Sequence, residues 1–280
     1  MILLTGAGGV VGRAVTRLLL QEGRAVTAVT RGETHFPDAV RVVDGDLFGP
    51  QWLEPVLDGV EAIQISPRAT GPGLPELLQL ASKQGVRRAV LLSATTVAYP
   101  AGEPRFAAQF KAAEDLVKDS GLDWTILRLA DFAANALAWA PQIKAGDVVR
   151  GAYGDATTSP IHEADIAAVA VQALVDKAHA GTTLTLTGPQ SLDQPAKVRI
   201  LGAAIDRPLS FQELPAEQVR QAMLAQGLPE EVPARLLGSL ADYAAHPGPT
   251  TTTVADLLNR PALTFADWAR DNAAAFGKAS

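Results

Sequence analysis

Short apolar runs alternate with longer amphipathic stretches along residues 1–150. Runs that are apolar throughout and rich in β-branched residues are typical of parallel strands, which helices cover on both faces. The amphipathic stretches carry apolar residues at helical spacing. The pattern predicts strands at 1–5, 25–30, 40–43, 62–65, 89–92 and 124–127, with helices at 10–21, 51–57, 74–83 and 104–118 between them. This alternation predicts the α/β class, with a doubly wound parallel sheet of the Rossmann type.

The alternation weakens after Gly146. A helix at 166–175 and a strand at 183–186 are followed by helices at 216–226, 233–244 and 265–276. We therefore predict a Rossmann domain over residues 1–150 and a smaller C-terminal α+β region over residues 151–280 that packs on the sheet and binds substrate. In folds of this kind the ligand occupies the crevice at the carboxyl ends of the strands.

Composition narrows the range of functions. The 280 residues include no cysteine, which excludes disulfides, thiolate metal sites and a cysteine nucleophile. The net charge of −6 is scattered, with no basic stripe for a run of phosphates, so nucleic-acid binding is not expected. No apolar stretch has the length of a membrane helix, and no leader-like segment is recognised. We expect a cytoplasmic protein without a metal ion. The apolar helices are suited either to the core or to a subunit interface, so a homodimer is one alternative.

A glycine-rich segment joins the first predicted strand to the first predicted helix. Its spacing is Gly6-x-x-Gly9-x-x-Gly12. Gly6 permits a tight turn, Gly9 lets the backbone approach a pyrophosphate, and Gly12 lets the helix pack closely on the strand. The amino terminus of the helix supplies unbonded amides and the positive end of the helix dipole. We predict that this loop binds a dinucleotide through Thr5, Gly6, Gly8, Gly9, Val10, Val11 and Gly12.

The end of the second predicted strand bears on the choice of dinucleotide. An NAD site places an acidic side chain there to bind the ribose hydroxyls. Here the segment is Thr30-Arg31-Gly32, and the guanidinium of Arg31 is suited to a bidentate contact with a 2′-phosphate. NADP(H) is therefore favoured over NAD(H). The alternative is that Arg31 is a solvated loop residue and that Glu33 binds the ribose.

Further motifs extend over nearly the whole chain. They are the Thr5–Gly12 loop, Thr30-Arg31, Asp44-Gly45-Asp46, Lys111-x-x-Glu114, the segment 120–128, Asp131-Phe132-x-x-Asn135 and Asp165-Ile166-Ala167. Together they resemble the NmrA-like branch of the atypical short-chain dehydrogenase/reductases. The resemblance implies reductases that use NAD(P)H on quinones, dyes or phenolic natural products. It also implies relatives that bind the dinucleotide and serve as redox-sensing regulators.

The same resemblance implies roles for residues at the ends of the later strands. Asp46 would contact the adenine, and Leu47 would also belong to the cofactor site. Ser66 and Pro67 would line the cofactor groove, and Ser93 and Ala94 would lie near the nicotinamide.

The predicted helix at 104–118 retains one of two residues that the superfamily ordinarily uses. A tyrosine normally lies four residues before the lysine and protonates the carbonyl oxygen. Here that position is Ala107, whereas Lys111 remains and is expected to hold the nicotinamide ribose or to stabilise developing negative charge. An unactivated ketone would give a strongly basic alkoxide, whereas a quinone gives a weakly basic hydroquinone anion that water can protonate. The loss of the tyrosine therefore favours a quinone-like or other conjugated acceptor.

Four other side chains are candidates for the substrate end of the site. Tyr99 follows the fifth predicted strand and is a candidate proton donor, and its alternative is a loop aromatic that packs beside Pro100. Phe132, Asn135 and His162 are candidate pocket residues. Phe132 is equally suited to the core, and a lone histidine such as His162 is commonly a hydrogen-bonded structural residue.

These observations predict an NADPH-dependent oxidoreductase that reduces a quinone-like or other conjugated aromatic small molecule. Natural-product tailoring is a narrower form of the same hypothesis. The alternative, motivated by Ala107, is a non-catalytic NAD(P)-binding redox-sensing regulator.

Overall fold

The computed structural model describes residues 1–32 and 34–277. Strands β1 to β9 span Ile2–Thr5, Val26–Thr30, Val40–Asp44, Ala62–Ile65, Arg88–Ala94, Asp123–Leu129, Val148–Gly151, Thr182–Leu186 and Ser210–Glu213. Helices α1 to α11 span Val10–Gln21, Pro67–Thr70, Leu74–Lys83, Pro104–Lys118, Ala140–Ala145, Glu163–Val175, Gln194–Ala204, Ala216–Ala225, Glu231–Ala245, Thr253–Leu258 and Phe265–Asp271. Short 3-10 turns occupy Pro50–Val56, Gly71–Gly73, Thr95–Val97, Ala133–Trp139 and Ala273–Phe276.

The chain divides into two compact units. The first, called here the sheet unit, comprises residues 1–97, 108–129 and 163–185. The second unit comprises residues 98–107, 130–162 and the described chain from Leu186 onward. The sequence pattern places one boundary at residue 150, whereas the chain passes between the units several times. The reason is that α6 and most of β8, which follow residue 150, complete the sheet unit.

The sheet confirms the predicted doubly wound topology. Its strand order is β3-β2-β1-β4-β5-β6-β8. The pairings from β3 through β6 are parallel, with Leu4 opposite Ala28 on one side and Gln64 on the other. Strand order therefore reverses beside β1, which is where open α/β sheets bind ligands at the carboxyl ends of their strands. Beyond the six strands expected in residues 1–150, β8 adds a seventh beside β6.

Apolar side chains cover both faces of this sheet. One buried cluster joins strand residues such as Leu3, Ile63 and Leu91 to Leu77 of α3 and Val117 of α4. On α1, the buried residues Val11, Val15 and Leu19 recur every four positions, which gives the helix one apolar face. Helix α1 packs against α6. These layers fix the end of β1 and the start of α1, which flank the glycine loop.

Several segments differ in detail from the sequence prediction. The predicted helix at 51–57 is a 3-10 turn over Pro50–Val56, because Pro55 inside the segment lacks the amide hydrogen that an α-helical bond needs. The predicted helix at 265–276 is α11 followed by the 3-10 turn Ala273–Phe276. Strands β7 and β9, a parallel pair in the second unit, and helix α7 were not expected.

The second unit has its own aromatic core. Trp268 of α11 is fully buried, stacks on Phe265 with ring centroids 5.5 Å apart, and meets Phe276 edge to face. Helix α11 packs on α7. Within residues 1–32 and 34–277, no helix combines the length and apolar character needed to cross a bilayer.

Candidate active site

The glycine loop is a tight turn stabilised by its own backbone. Gly6 has φ +67°, a left-handed conformation that glycine adopts without strain. The Gly9 amide donates to the Gly6 carbonyl over 3.1 Å, and the Arg13 amide donates to the Gly9 carbonyl over 2.9 Å as α1 begins. No side chain caps the start of α1 at Gly9. The first amides of this helix are therefore available to an anion.

Gly9 and Gly12 differ in the space around them. A Cβ atom on Gly12 would lie 2.5 Å from the Gly6 carbonyl oxygen and 2.7 Å from Ala7 Cα, so only glycine fits there. Among the described residues, a Cβ atom on Gly9 would meet only the Gly6 carbonyl oxygen, at 3.4 Å. The protein thus leaves open space in front of Gly9. This geometry fits a pyrophosphate that approaches the loop backbone.

The ends of β1 and β4 are joined by one side chain. Thr5 Oγ1 donates to the Gln64 carbonyl over 3.0 Å and accepts from the Ser66 amide over 2.8 Å. A Cβ atom on Gly6 would lie 3.0 Å from Ser66 Cβ. The structure therefore brings Ser66 and Pro67 beside the glycine loop, at the point where strand order reverses.

Arg31 follows β2 and is exposed, with its guanidinium carbon 5.4 Å from the ring centroid of Phe48. This distance is typical of a cation–π contact. The next amide, of Gly32, donates to Asp44 Oδ1 over 3.1 Å and ties the ends of β2 and β3 together. Glu33, the alternative ribose ligand, lies outside the described residues.

Asp46 and Leu47 follow β3. Asp46 Oδ1 accepts from the Phe48 amide over 3.1 Å, which stabilises a local turn. Leu47 is buried in the core of the sheet unit, whereas Phe48 is exposed. The turn therefore presents the ring of Phe48 to Arg31 and leaves Leu47 in a packing role.

Helix α1 and the loop after β2 enclose a groove of about 420 Å³. Its lining includes Arg13, Arg17 and His35 together with the apolar side chains of Leu20 and Phe36. Arg13 Nε donates to the Gly8 carbonyl over 2.9 Å. The groove therefore begins at the glycine loop.

A buried ionic network crosses the ends of β5, β6 and α4. Glu114 is fully buried and accepts from Ser93 Oγ over 2.6 Å and from Arg128 Nε and Nη2 over 2.9 and 2.7 Å. Ser93 and Arg128 face each other in the register of β5 and β6. Burial alone raises the pKa of Glu114, but the hydrogen bonds from Arg128 and Ser93 outweigh it, so the pKa lies below its ordinary value. The network holds Ser93 in place, and Ala94 ends β5 beside it.

Lys111 lies on the exposed side of α4. Its Nζ forms an ion pair with Asp115, four residues later, at 2.6 Å. The position one turn earlier on this helix is Ala107. Tyr99 follows the 3-10 turn Thr95–Val97 and is 46% exposed. Both Lys111 and Tyr99 are thus open to solvent, and their catalytic roles stay predictions.

The second unit brings the three candidate pocket residues to neighbouring segments. Phe132 pairs with Ile161 in an isolated parallel bridge, which places the next residue, His162, beside the same segment. Asn135 Nδ2 donates to Asp131 Oδ1 over 2.6 Å. His162 is buried, with Nε2 3.4 Å from Asp271 Oδ2. Their contact with a substrate stays a prediction.

Several interactions were not predicted from the sequence. In the second unit, buried Lys197 donates to Thr158 Oγ1 over 2.6 Å, and Thr158 Oγ1 donates to Asp131 Oδ2 over 2.8 Å. No local sequence motif predicts such a contact between distant segments. The groove cations did leave a signal, because Arg13 and Arg17 are like charges four residues apart directly after Gly12. In the described chain, no group of three histidine or acidic side chains is arranged to hold a metal ion.

Comparisons with known proteins agree with this geometry. The chain matches the NAD(P)H-binding family over residues 6–177, from the glycine loop to the end of α6. It is 34% identical over 279 residues to the (4-alkanoyl-5-oxo-2,5-dihydrofuran-3-yl)methyl phosphate reductase of Streptomyces griseus, and the match covers 99% of each chain. It is 32% identical over 294 residues to the NAD(P)H azoreductase of Xenophilus azovorans, which covers 100% of both.

Solved structures show the same fold. The NADPH-dependent quinone oxidoreductase of Escherichia coli superimposes with a TM-score of 0.81 at 24% identity, over 97% of this chain and 99% of the other. The sequence matches confirm the predicted NAD(P)H-binding reductase, and the solved structure confirms the predicted fold. The chain belongs to the NAD(P)H-binding family and is an NAD(P)H-dependent oxidoreductase.

Proposed function

We propose that the protein uses NADPH to reduce a planar, conjugated, electron-poor small molecule such as a quinone, an azo compound or an unsaturated lactone. The observation that carries the proposal is Ala107 in α4, one turn before Lys111. A methyl group donates no proton, so this position cannot protonate an isolated alkoxide. A conjugated acceptor avoids this need because its negative charge is delocalised as it forms.

The named substrates of the relatives support the same class. A 4-alkanoyl-5-oxo-2,5-dihydrofuran carries a carbon–carbon double bond conjugated with two carbonyl groups. Two other relatives are named an NAD(P)H azoreductase and a quinone oxidoreductase. Each of these π-systems can accept hydride at one atom while the negative charge develops at another. None of them requires a strongly basic alkoxide product.

Different residues would bind different parts of NADPH. The amides at the start of α1 and the open space at Gly9 fit the pyrophosphate. Arg31, stacked on Phe48, supplies positive charge at the end of β2 for a 2′-phosphate. The Ser93–Glu114–Arg128 network fixes the end of β5, where the nicotinamide is expected.

NADPH supplies the hydride when bound. Water would supply the one proton that completes reduction of the acceptor, because position 107 donates none. The protein contributes by orienting the donor and acceptor atoms and by placing the Lys111 ammonium where negative charge develops.

A panel of acceptors tests the proposal. NADPH oxidation is followed by absorbance with a simple naphthoquinone, an azo dye and a 4-alkanoyl-2,5-dihydrofuran-5-one phosphate, with a saturated cyclic ketone as the matched control. We expect turnover with at least one conjugated acceptor and none with the ketone. Turnover with the ketone alone would contradict the assigned acceptor class.

The regulator hypothesis makes a different prediction for the same samples. A redox sensor must bind NADPH and NADP⁺ with different affinities and consume neither. Consumption of NADPH in the acceptor panel would exclude a purely non-catalytic role.

A further inference from the structure

The groove between α1 and the loop after β2 contains two arginine side chains and one histidine. Arg13, Arg17 and His35 line it together with the apolar side chains of Leu20, Phe36 and Pro37. No acidic side chain is among its described lining residues. The whole chain has a net charge of −6, so this local excess of cations runs against the overall balance.

The arrangement of Arg13 and Arg17 is unfavourable without an anion. They lie four residues apart on the same face of α1, where like charges repel by a few tenths of a kcal/mol. Both side chains are exposed, and neither contacts a carboxylate within the described residues. A bound dianion would relieve the repulsion and use both guanidinium groups as donors.

A chain of contacts connects this groove to the end of β2. Thr30 Oγ1, at the end of the strand, lies 3.2 Å from Thr34 Oγ1. A Cβ atom on Gly8 would be 3.3 Å from Thr34, and the Gly8 carbonyl accepts from Arg13 Nε over 2.9 Å. In folds of this type the adenosine ribose binds at the end of the second strand. The mouth of the groove is therefore next to the expected position of the ribose.

We propose that this groove is an anion subsite for the 2′-phosphate of NADPH, with Arg13 and Arg17 as its ligands and His35 as a third donor across the groove. The inference rests on the proposed use of NADPH. It adds a second source of discrimination to Arg31, whose guanidinium is engaged over the ring of Phe48. A phosphate monoester bound here would contact α1, whereas Arg31 approaches from the side of β3.

Calorimetric titration tests the subsite without using activity. The ligands are NADPH, NADH, 2′,5′-ADP and 5′-ADP, and the variants are Arg13→Ala, Arg17→Ala and His35→Ala. Arg24→Ala is the matched control, because Arg24 is an exposed arginine just beyond the other end of α1. We expect Arg13→Ala and Arg17→Ala each to weaken NADPH and 2′,5′-ADP by about fivefold or more. NADH and 5′-ADP should change less than about twofold, and Arg24→Ala should change none of the four.

Arg17→Ala keeps the proposal testable if Arg13→Ala disturbs the glycine loop. Arg13 bonds to Gly8, so its loss could weaken all four ligands, whereas Arg17 makes no bond to the loop. Equal weakening of NADPH and NADH by Arg17→Ala, or an unchanged preference in all three variants, would overturn the subsite. A wild-type protein that binds NADH as tightly as NADPH would overturn the subsite and leave the reductase function intact.

A phosphate on the substrate is the competing source of the anion. In that case Arg17→Ala would leave NADPH binding unchanged and raise the KM for a phosphate-bearing dihydrofuranone but not for a naphthoquinone. This result would also overturn the assignment to the cofactor. Failure of the wild-type protein to bind either nicotinamide cofactor would reject both the subsite and the proposed function.

Discussion

Ser93 Oγ donates to Glu114 Oε1 over 2.6 Å, and both side chains are almost wholly buried. The same carboxylate neutralises Arg128, so the network binds β5, β6 and α4 together through one acidic group. Removing that charge deprives Arg128 of this carboxylate in a largely buried position. Breaking a buried pair in this way is costly because the remaining charge is not solvated.

We therefore expect Glu114→Gln to lower the free energy of unfolding by about 3 kcal/mol at neutral pH. Urea unfolding followed by circular dichroism measures the change. Asp115→Asn is the control on the same helix, because its ion pair with Lys111 is exposed to solvent and contributes little to stability. Equal stability of the two variants would contradict a structural role for the buried network.

The lowered pKa of Glu114 also sets the direction in which the stability of the protein depends on pH. A carboxyl whose pKa is lower in the folded state than in the unfolded state stabilises the protein above its unfolded value, near 4.5. That contribution is lost as pH falls through the folded value. The stability difference between wild type and Glu114→Gln should thus shrink below about pH 4 in acid titrations, and a constant difference would contradict the assignment.

Gly9→Ala and Gly12→Ala should separate binding from folding. Gly9→Ala should cost about 1 kcal/mol or less in stability, because the added methyl meets only one carbonyl oxygen at 3.4 Å. It should nevertheless weaken both NADPH and NADH by about tenfold or more, since the methyl occupies the pyrophosphate position. Gly12→Ala should cost about 2 kcal/mol or more, because its methyl meets backbone at 2.5 Å. Thermal unfolding and calorimetry together check both variants, and normal cofactor binding by Gly9→Ala would remove that residue from the site.

Lys111→Ala should lower kcat by about tenfold or more without changing stability. Its ion pair with Asp115 is exposed and contributes little to stability, so a loss of activity would report on the reaction. Asp115→Asn is the control that removes the pair and keeps the lysine. Unchanged turnover in Lys111→Ala would exclude the lysine from the mechanism.

Arg31→Ala should weaken NADPH by about tenfold or more and NADH much less, because only NADPH carries the 2′-phosphate. Phe48→Ala should have a smaller effect of the same kind, about two- to fivefold, since it removes only the ring on which the guanidinium rests. Equal losses for both cofactors in Arg31→Ala would contradict its predicted role.

The parts of the fold that depend on local pattern were predictable. A few residues of sequence are enough to recognise the glycine spacing, the apolar strands and the position of Arg31. The parallel sheet predicted from them is confirmed. Contacts between distant segments were not. Lys197 and Asp131 lie far apart in sequence, and nothing near either residue indicates the other.

The groove beside α1 was missed for a different reason. It exists because the connection from β2 to β3 contains no helix in its described residues, so this side of α1 is uncovered. The sequence pattern predicts no helix in this connection, but the pattern alone does not indicate that a groove forms beside α1. Arg13 and Arg17 indicate an anion site only when the groove beside them is known.

The helix-free connection between β2 and β3 has an evolutionary consequence. Most of its described side chains from Arg31 to Ala39 are exposed, and none belongs to the buried core. Exposed substitutions usually change stability by less than about 0.5 kcal/mol. Lineages descended from a common ancestor could therefore shift the preference between the two dinucleotides through changes in this segment, at little cost in stability.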